Sequence, residues 1–216
     1  WGTDIAKVPS PLSTITLAIN DLSVDENYPQ ILQEDFFDLR LGGREEFGKE
    51  ARRKKLATVG AKKVVIEYPK IVDCIVGNPP YTRQEEIADI SSAETYKEEL
   101  IRKALHDGTK KLANISKRAG IYAYFFVHGT KFLQNGGRFG FVVSNSWLDV
   151  DYGKGIQELF LKHYKIVAII ESKVERWFVD ADINTCVVIL ERCTDKQQRD
   201  ENLVRFAYLL KPLRHF

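Results

Sequence analysis

The chain has no methionine among its 216 residues. A protein translated from its own start begins with that residue, so Trp1 is expected to be an internal or processed position and the chain part of a longer protein. Cysteine is scarce: Cys74, Cys186 and Cys193 stand in no metal-ligand spacing, which argues against a zinc site. Cys74 and Cys186 fall inside apolar runs and are expected as core residues. No run approaches the length of a membrane span and no charged-then-apolar leader opens the chain, so a soluble cytoplasmic protein is expected. Net charge is also small, +2, and neither demands nor forbids nucleic acid. No internal repeat or low-complexity tract occurs.

What is present is enough apolar content, 44%, for an α/β domain with a substantial core. The most informative stretch is Val72-Asp73-Cys74-Ile75-Val76-Gly77-Asn78-Pro79-Pro80-Tyr81. A β-branched run that stops at Gly-Asn-Pro-Pro reads as a buried strand, with Asn78 to Tyr81 at its carboxyl end. In open α/β sheets ligands bind at that edge. Prolines stiffen the turn, Asn78 offers an amide acceptor, and Tyr81 offers a flat aromatic face. These groups suit an exocyclic amine on a planar heterocycle. Such an amine is a poor nucleophile until acceptors draw its protons out of the ring plane, and the Asn78 side-chain oxygen and the Pro79 carbonyl are candidate acceptors.

With Asn78, Pro79, Pro80 and Tyr81 ending a strand, the chain resembles the N6-adenine DNA methyltransferases of restriction-modification type. The tetrapeptide is shared with adenine-directed RNA methyltransferases and with glutamine methyltransferases that modify release factors, so context must separate them. The resemblance implies an α/β, Rossmann-like sheet that uses S-adenosyl-L-methionine, with helices on both faces and an antiparallel edge strand. It also implies that Asn78 and Pro79 activate the amine of a base flipped out of double-stranded DNA, with Tyr81 stacking on it.

The rest of the chain supplies further matches. A strand over Trp1 to Ile5, a helix from Pro11 to Leu22 and a strand over Ile31 to Phe37 are expected. By resemblance, Asp4 takes the ribose hydroxyls of the cofactor, and Asp35 with Phe36 takes its adenine, while Asn78 borders the same site. Residues 44–56 are dense in charge and read as an exposed helix or loop, and Lys63 to Ile66 as part of a connection. Residues 82–119 form a polar insertion, helical from Glu94 to Leu112, that faces DNA in the resembled enzymes. The basic clusters Arg52 to Lys55, Lys62 and Lys63, and Arg102 to Arg118, read as solvated faces before phosphate contacts.

A helix over Gly120 to Gln134, with His128 packed on it, is expected to stop at Gly136-Gly137. A strand from Arg138 leading to Trp147, a helix over Gly155 to Tyr164 and a strand over Lys165 to Glu171 follow. A last strand, Thr185 to Leu190, reads as the antiparallel edge. The loop before it holds Trp177 and Phe178, and the resemblance makes Phe178 the second aromatic on the flipped base, with Trp177 in reserve. Residues 194–216 read as the start of a linker toward a recognition region.

The chain departs from the resembled family by lacking the first strand and its glycine-rich turn ahead of Asp4, so weak cofactor binding by the isolated chain is expected. Partners implied are DNA and a fused or separate restriction nuclease and recognition domain. An RNA adenine or protein glutamine methyltransferase, and a non-catalytic DNA-binding remnant of the fold, stay open as alternatives.

Overall fold

The computed structural model describes residues 1–20, 29–39, 53–57, 63–67, 71–81, 94–178 and 183–216. They divide into two compact units, Trp1–Ile71 and Val72–Phe216.

In the first unit, β1 (Gly2–Asp4) runs parallel to β2 (Ile31–Gln33), with Asp4 opposite Gln33. The crossover between them contains α1 (Pro9–Asn20), as parallel pairing requires. The strand expected over Ile31 to Phe37 is shorter than its apolar pattern. Asp35 Oδ1 accepts the Phe37 N–H at 3.0 Å and turns Phe36–Asp38 into a 3-10 helix. The charged stretch expected as helix or loop is described only from Arg53, where it forms β3 (Arg53–Ala57). β3 pairs antiparallel with β4 (Lys63–Glu67). Residues 44–52 of that expectation, and 21–22 of the α1 expectation, lie outside the described residues.

The second unit is built on a five-stranded mixed sheet in the order β11-β9-β10-β8-β5. Its strands are β5 (Val72–Gly77), β8 (Leu133–Ser144), β9 (Tyr164–Ser172), β10 (Thr185–Arg192) and β11 (Arg205–Leu209). β5 is parallel to β8, β10 is antiparallel to both β8 and β9, and β11 is parallel to β9. The carboxyl ends of β5, β8 and β9 therefore share one edge with the start of β10.

Helix α2 (Glu94–Leu105) is followed by a two-stranded turn, β6 (His106–Asp107) with β7 (Lys110–Lys111). Helix α3 (Ile121–Gly129) is apolar on every side and buried on nearly every side, as a helix without a polar face must be. Its Phe126 meets Phe141, Phe160 and Phe139 at centroid distances of 4.8, 4.9 and 5.4 Å. Alternation along β8 sends Phe139, Phe141 and Val143 into this cluster, and alternation along β10 buries Cys186, Val188 and Leu190. Truncating a ring such as Phe126 to alanine costs about 3–5 kcal/mol. Helix α4 (Lys154–His163) adds Ile156, Leu159 and Phe160, and α5 (Lys196–Asp200) precedes β11.

Five expectations change. β5 is an edge strand rather than a buried one: Val76 is 76% exposed and Cys74 is exposed, because among the described residues no strand pairs with its second edge. The antiparallel strand is present but lies between β8 and β9, so it is interior. The helix α3 stops at Thr130, before Gly136-Gly137, and those glycines sit inside β8. Gly136 has φ +81°, and the pairing with β5 skips from Leu133 to Arg138 across them. Residues 194–216, expected as linker, contain α5 and the strand β11. The helix of the insertion ends at Leu105 rather than Leu112, and residues 82–93 lie outside the described residues.

Candidate active site at the end of β5

The β-branched run of β5 ends at Gly77, and Asn78-Pro79-Pro80 leaves the sheet with neither proline able to donate to a ladder. Pro79 is buried while Asn78 and Pro80 are exposed, so the turn is anchored at its middle and presents the amide outward. Tyr81 is half-buried against the end of β8. Its hydroxyl donates to Asn78 Oδ1 and lies 3.4 Å from the carbonyl oxygen of Val142. Burial pushes the Tyr81 phenol up to about 12, so near neutral pH it keeps its proton and remains a donor.

Phe178 packs against the Tyr81 ring. Its ring centroid is 5.7 Å from that of Tyr81 and the planes are inclined at 62°. Two aromatics far apart in sequence thus meet beside Asn78. Trp177, its neighbour, is half-buried, and its indole N–H is buried without a hydrogen-bond partner among the described residues.

The same edge carries a polar group that sequence reasoning did not single out. Asn145 Nδ2 donates to Glu171 Oε1 at 2.7 Å, and the Asn145 backbone N–H donates to the Asn184 carbonyl at 3.0 Å. These bonds tie the loop after β8 to the end of β9 and the start of β10. An acid closing the apolar run of β9 was the available signal. Nearby, burial pushes the Cys186 thiol and the Tyr122 phenol each up to about 12, so both keep their protons near neutral pH.

Asp4, Asp35 and Phe36 belong to the first unit. Asp4 ends β1 and its Oδ1 accepts the Ala6 N–H at 2.8 Å; the Glu34 N–H donates to the Asp4 carbonyl at 2.9 Å. The two carboxylates and the Phe36 ring therefore flank the carboxyl ends of two parallel strands, all half-buried. That set of two acceptors and a ring fits an adenosine: carboxylates to accept from hydroxyl and amine groups, and an aromatic for the ring.

Residues 1–178 match the family model of the Eco57I restriction-modification methylases. The chain belongs to that family. Among curated proteins, this Eco57I-family chain is 33% identical over 99 residues to the type II methyltransferase M.BstVI of Geobacillus stearothermophilus. The match covers 46% of the chain and 15% of that relative, so the chain spans only a small part of it. Among solved structures it resembles the type IIG restriction endonuclease BpuSI, with TM-score 0.60 and 18% identity over 89% of the chain and 19% of that protein. It also resembles the type I restriction-modification methyltransferase subunit from Streptococcus thermophilus, with TM-score 0.55 and 16% identity over 89% of the chain and 33% of the subunit. At such identities the likeness is one of fold, a Rossmann-like mixed α/β sheet. Among the described residues no helix is long and apolar enough to cross a membrane.

Proposed function

We propose that the chain carries the catalytic residues of a DNA methyltransferase that moves a methyl group from S-adenosyl-L-methionine to N6 of adenine within a restriction-modification system. The observation that carries this reading is the meeting of Tyr81 and Phe178 beside Asn78, in a chain of the Eco57I family. Two aromatics flanking an amide acceptor suit a planar base that bears an amine.

When bound, S-adenosyl-L-methionine supplies an electrophilic methyl group. Asp4 would hold its ribose, and Asp35 with Phe36 its adenine. Asn78 Oδ1 and the Pro79 carbonyl accept hydrogen bonds from the two N6–H groups of the target and stabilise the positive charge that develops on nitrogen. Tyr81 and Phe178 hold the flipped ring on its two faces and fix its orientation for in-line attack. The product ammonium loses its proton to water, so the chain needs no general base ahead of transfer. Partners on this reading are duplex DNA, and a recognition region and nuclease fused to the chain or separate from it.

The test is transfer of radiolabelled methyl to unmethylated DNA by the full-length gene product, with Asn78→Ala beside it. The expected result is label in N6-methyladenine, reduced about 100-fold or more in the variant, with cofactor affinity unchanged. Label on RNA or on a release factor would move the same chemistry to another substrate. No label on any of them would leave a non-catalytic DNA-binding module as the better account.

A further inference from the structure

We infer that the Tyr81 hydroxyl is a positioning group for Asn78, holding the amide oxygen rather than the amide nitrogen where the target amine must find an acceptor. The inference rests on the methyltransferase reading above and assigns Tyr81 a task separate from stacking.

An asparagine side chain that turns by half a rotation about its last bond exchanges an acceptor for a donor. For amine activation the two orientations are opposite in effect, because Nδ2 would set two N–H donors against the donors of the amine. Asn78 is exposed, and packing alone therefore does not choose between them. In the orientation present the Tyr81 hydroxyl donates to Asn78 Oδ1, which takes one of the two oxygen lone pairs and leaves the other for an incoming N–H; a reversed amide would have to donate to that hydroxyl and turn its proton to the more distant Val142 carbonyl.

Three features hold the hydroxyl in that task. Tyr81 follows Asn78 by three residues across a turn stiffened by Pro79 and Pro80, which fixes the spacing of the two side chains. Until a base enters, the ring is held on one side by Phe178. At its far end the oxygen lies 3.4 Å from the Val142 carbonyl on the neighbouring strand, the longer of its two acceptor contacts, so its single proton goes to Asn78. Phenylalanine at this position would stack equally well on a base, yet would leave the amide free to rotate.

The experiment has two arms on the full-length gene product. In the first, fluorotyrosine is incorporated at position 81 and its 19F resonance is compared with and without Asn78→Ala, in the absence of DNA and cofactor. A shifted resonance is expected. An unmoved one overturns the inference whatever the protein methylates. In the second, Tyr81→Phe is assayed for methyl transfer to DNA. The expected outcome is a fall in kcat of about three- to tenfold, the worth of one ordinary hydrogen bond, with KM for DNA unchanged. An unchanged kcat, or a rise in KM alone, limits Tyr81 to stacking and overturns the inference. A shifted resonance in a protein that methylates no adenine refutes instead the functional reading on which the inference stands.

Discussion

The rings of Tyr81 and Phe178 are in direct edge contact, with centroids 5.7 Å apart, and no slot for a third ring separates them. A base held between two aromatics needs a face from each, so entry of adenine requires one of these rings to turn. Phe178 is the ring without a hydroxyl anchor, and it lies in the loop ahead of β10. Phe178→Ala is expected to weaken methylation through the lost stacking, worth about 1–3 kcal/mol, and to lower kcat/KM for DNA by about 5- to 150-fold. Phe178→Tyr keeps the ring and should keep most of the activity. Equal losses in both variants would show that the contact serves packing rather than the base.

Gly153 packs against the backbone of the turn that follows β8. A Cβ there would stand 2.0 Å from the Trp147 carbonyl oxygen, and its three nearest neighbours are all Trp147 backbone atoms, so no flexible side chain can move aside. Gly153→Ala should therefore destabilise the fold by about 1–3 kcal/mol, the usual cost of overpacking. Urea denaturation of the variant would read this as a lower midpoint. The open Gly108, with nothing within 4 Å of its Cβ position, is a contrast in which the cost comes from φ +61° alone.

The turn from Asn78 to Tyr81 was legible because its signals are local. A β-branched run, two prolines and an aromatic state their own geometry. The Phe178 loop was singled out through the resemblance alone, and in the structure its ring meets that of Tyr81. What was not legible is which neighbour a strand takes. The residues of β10 read the same at an edge or between β8 and β9, and those of β5 read as core although Val76 lies open. Short-range competition hid the rest. Asp35 ends β2 by accepting from the Phe37 backbone, and the lysine-rich β3 gains strand form by pairing with β4, against its composition.

Cysteine reactivity separates these two strands experimentally. Cys74 on β5 is exposed, whereas Cys186 on β10 is fully buried and burial pushes its thiol up to about 12. Both sit in similar apolar runs, so composition predicts no difference. In the native chain, iodoacetamide is expected to modify Cys74 and spare Cys186, with both reacting in denaturant. Mass mapping of the labelled peptides checks this. Protection of Cys74 in the full-length gene product, together with reactivity in the isolated 216-residue chain, would show that further sequence covers the open edge of β5.

His163, the last residue of α4, gives the fold a defined pH dependence. Burial lowers its pKa from 6.5 to about 4, and the positive charge of Arg192, whose guanidinium donates to the His163 carbonyl at 3.0 Å, acts in the same direction. The folded state thus prefers the neutral imidazole, and between pH 4 and 6.5 the unfolded chain binds more protons than the folded one. Stability therefore rises with pH across that window: it is fully present above about 6.5 and is lost as pH falls toward 4. Allowing for its partial exposure, the contribution is on the order of 1–2 kcal/mol. Replacing His163 with glutamine, which cannot be protonated, should flatten this part of the stability profile, and urea midpoints measured from pH 4.5 to 7.5 would show it. A variant with the same slope as the parent would assign the acid sensitivity to other groups.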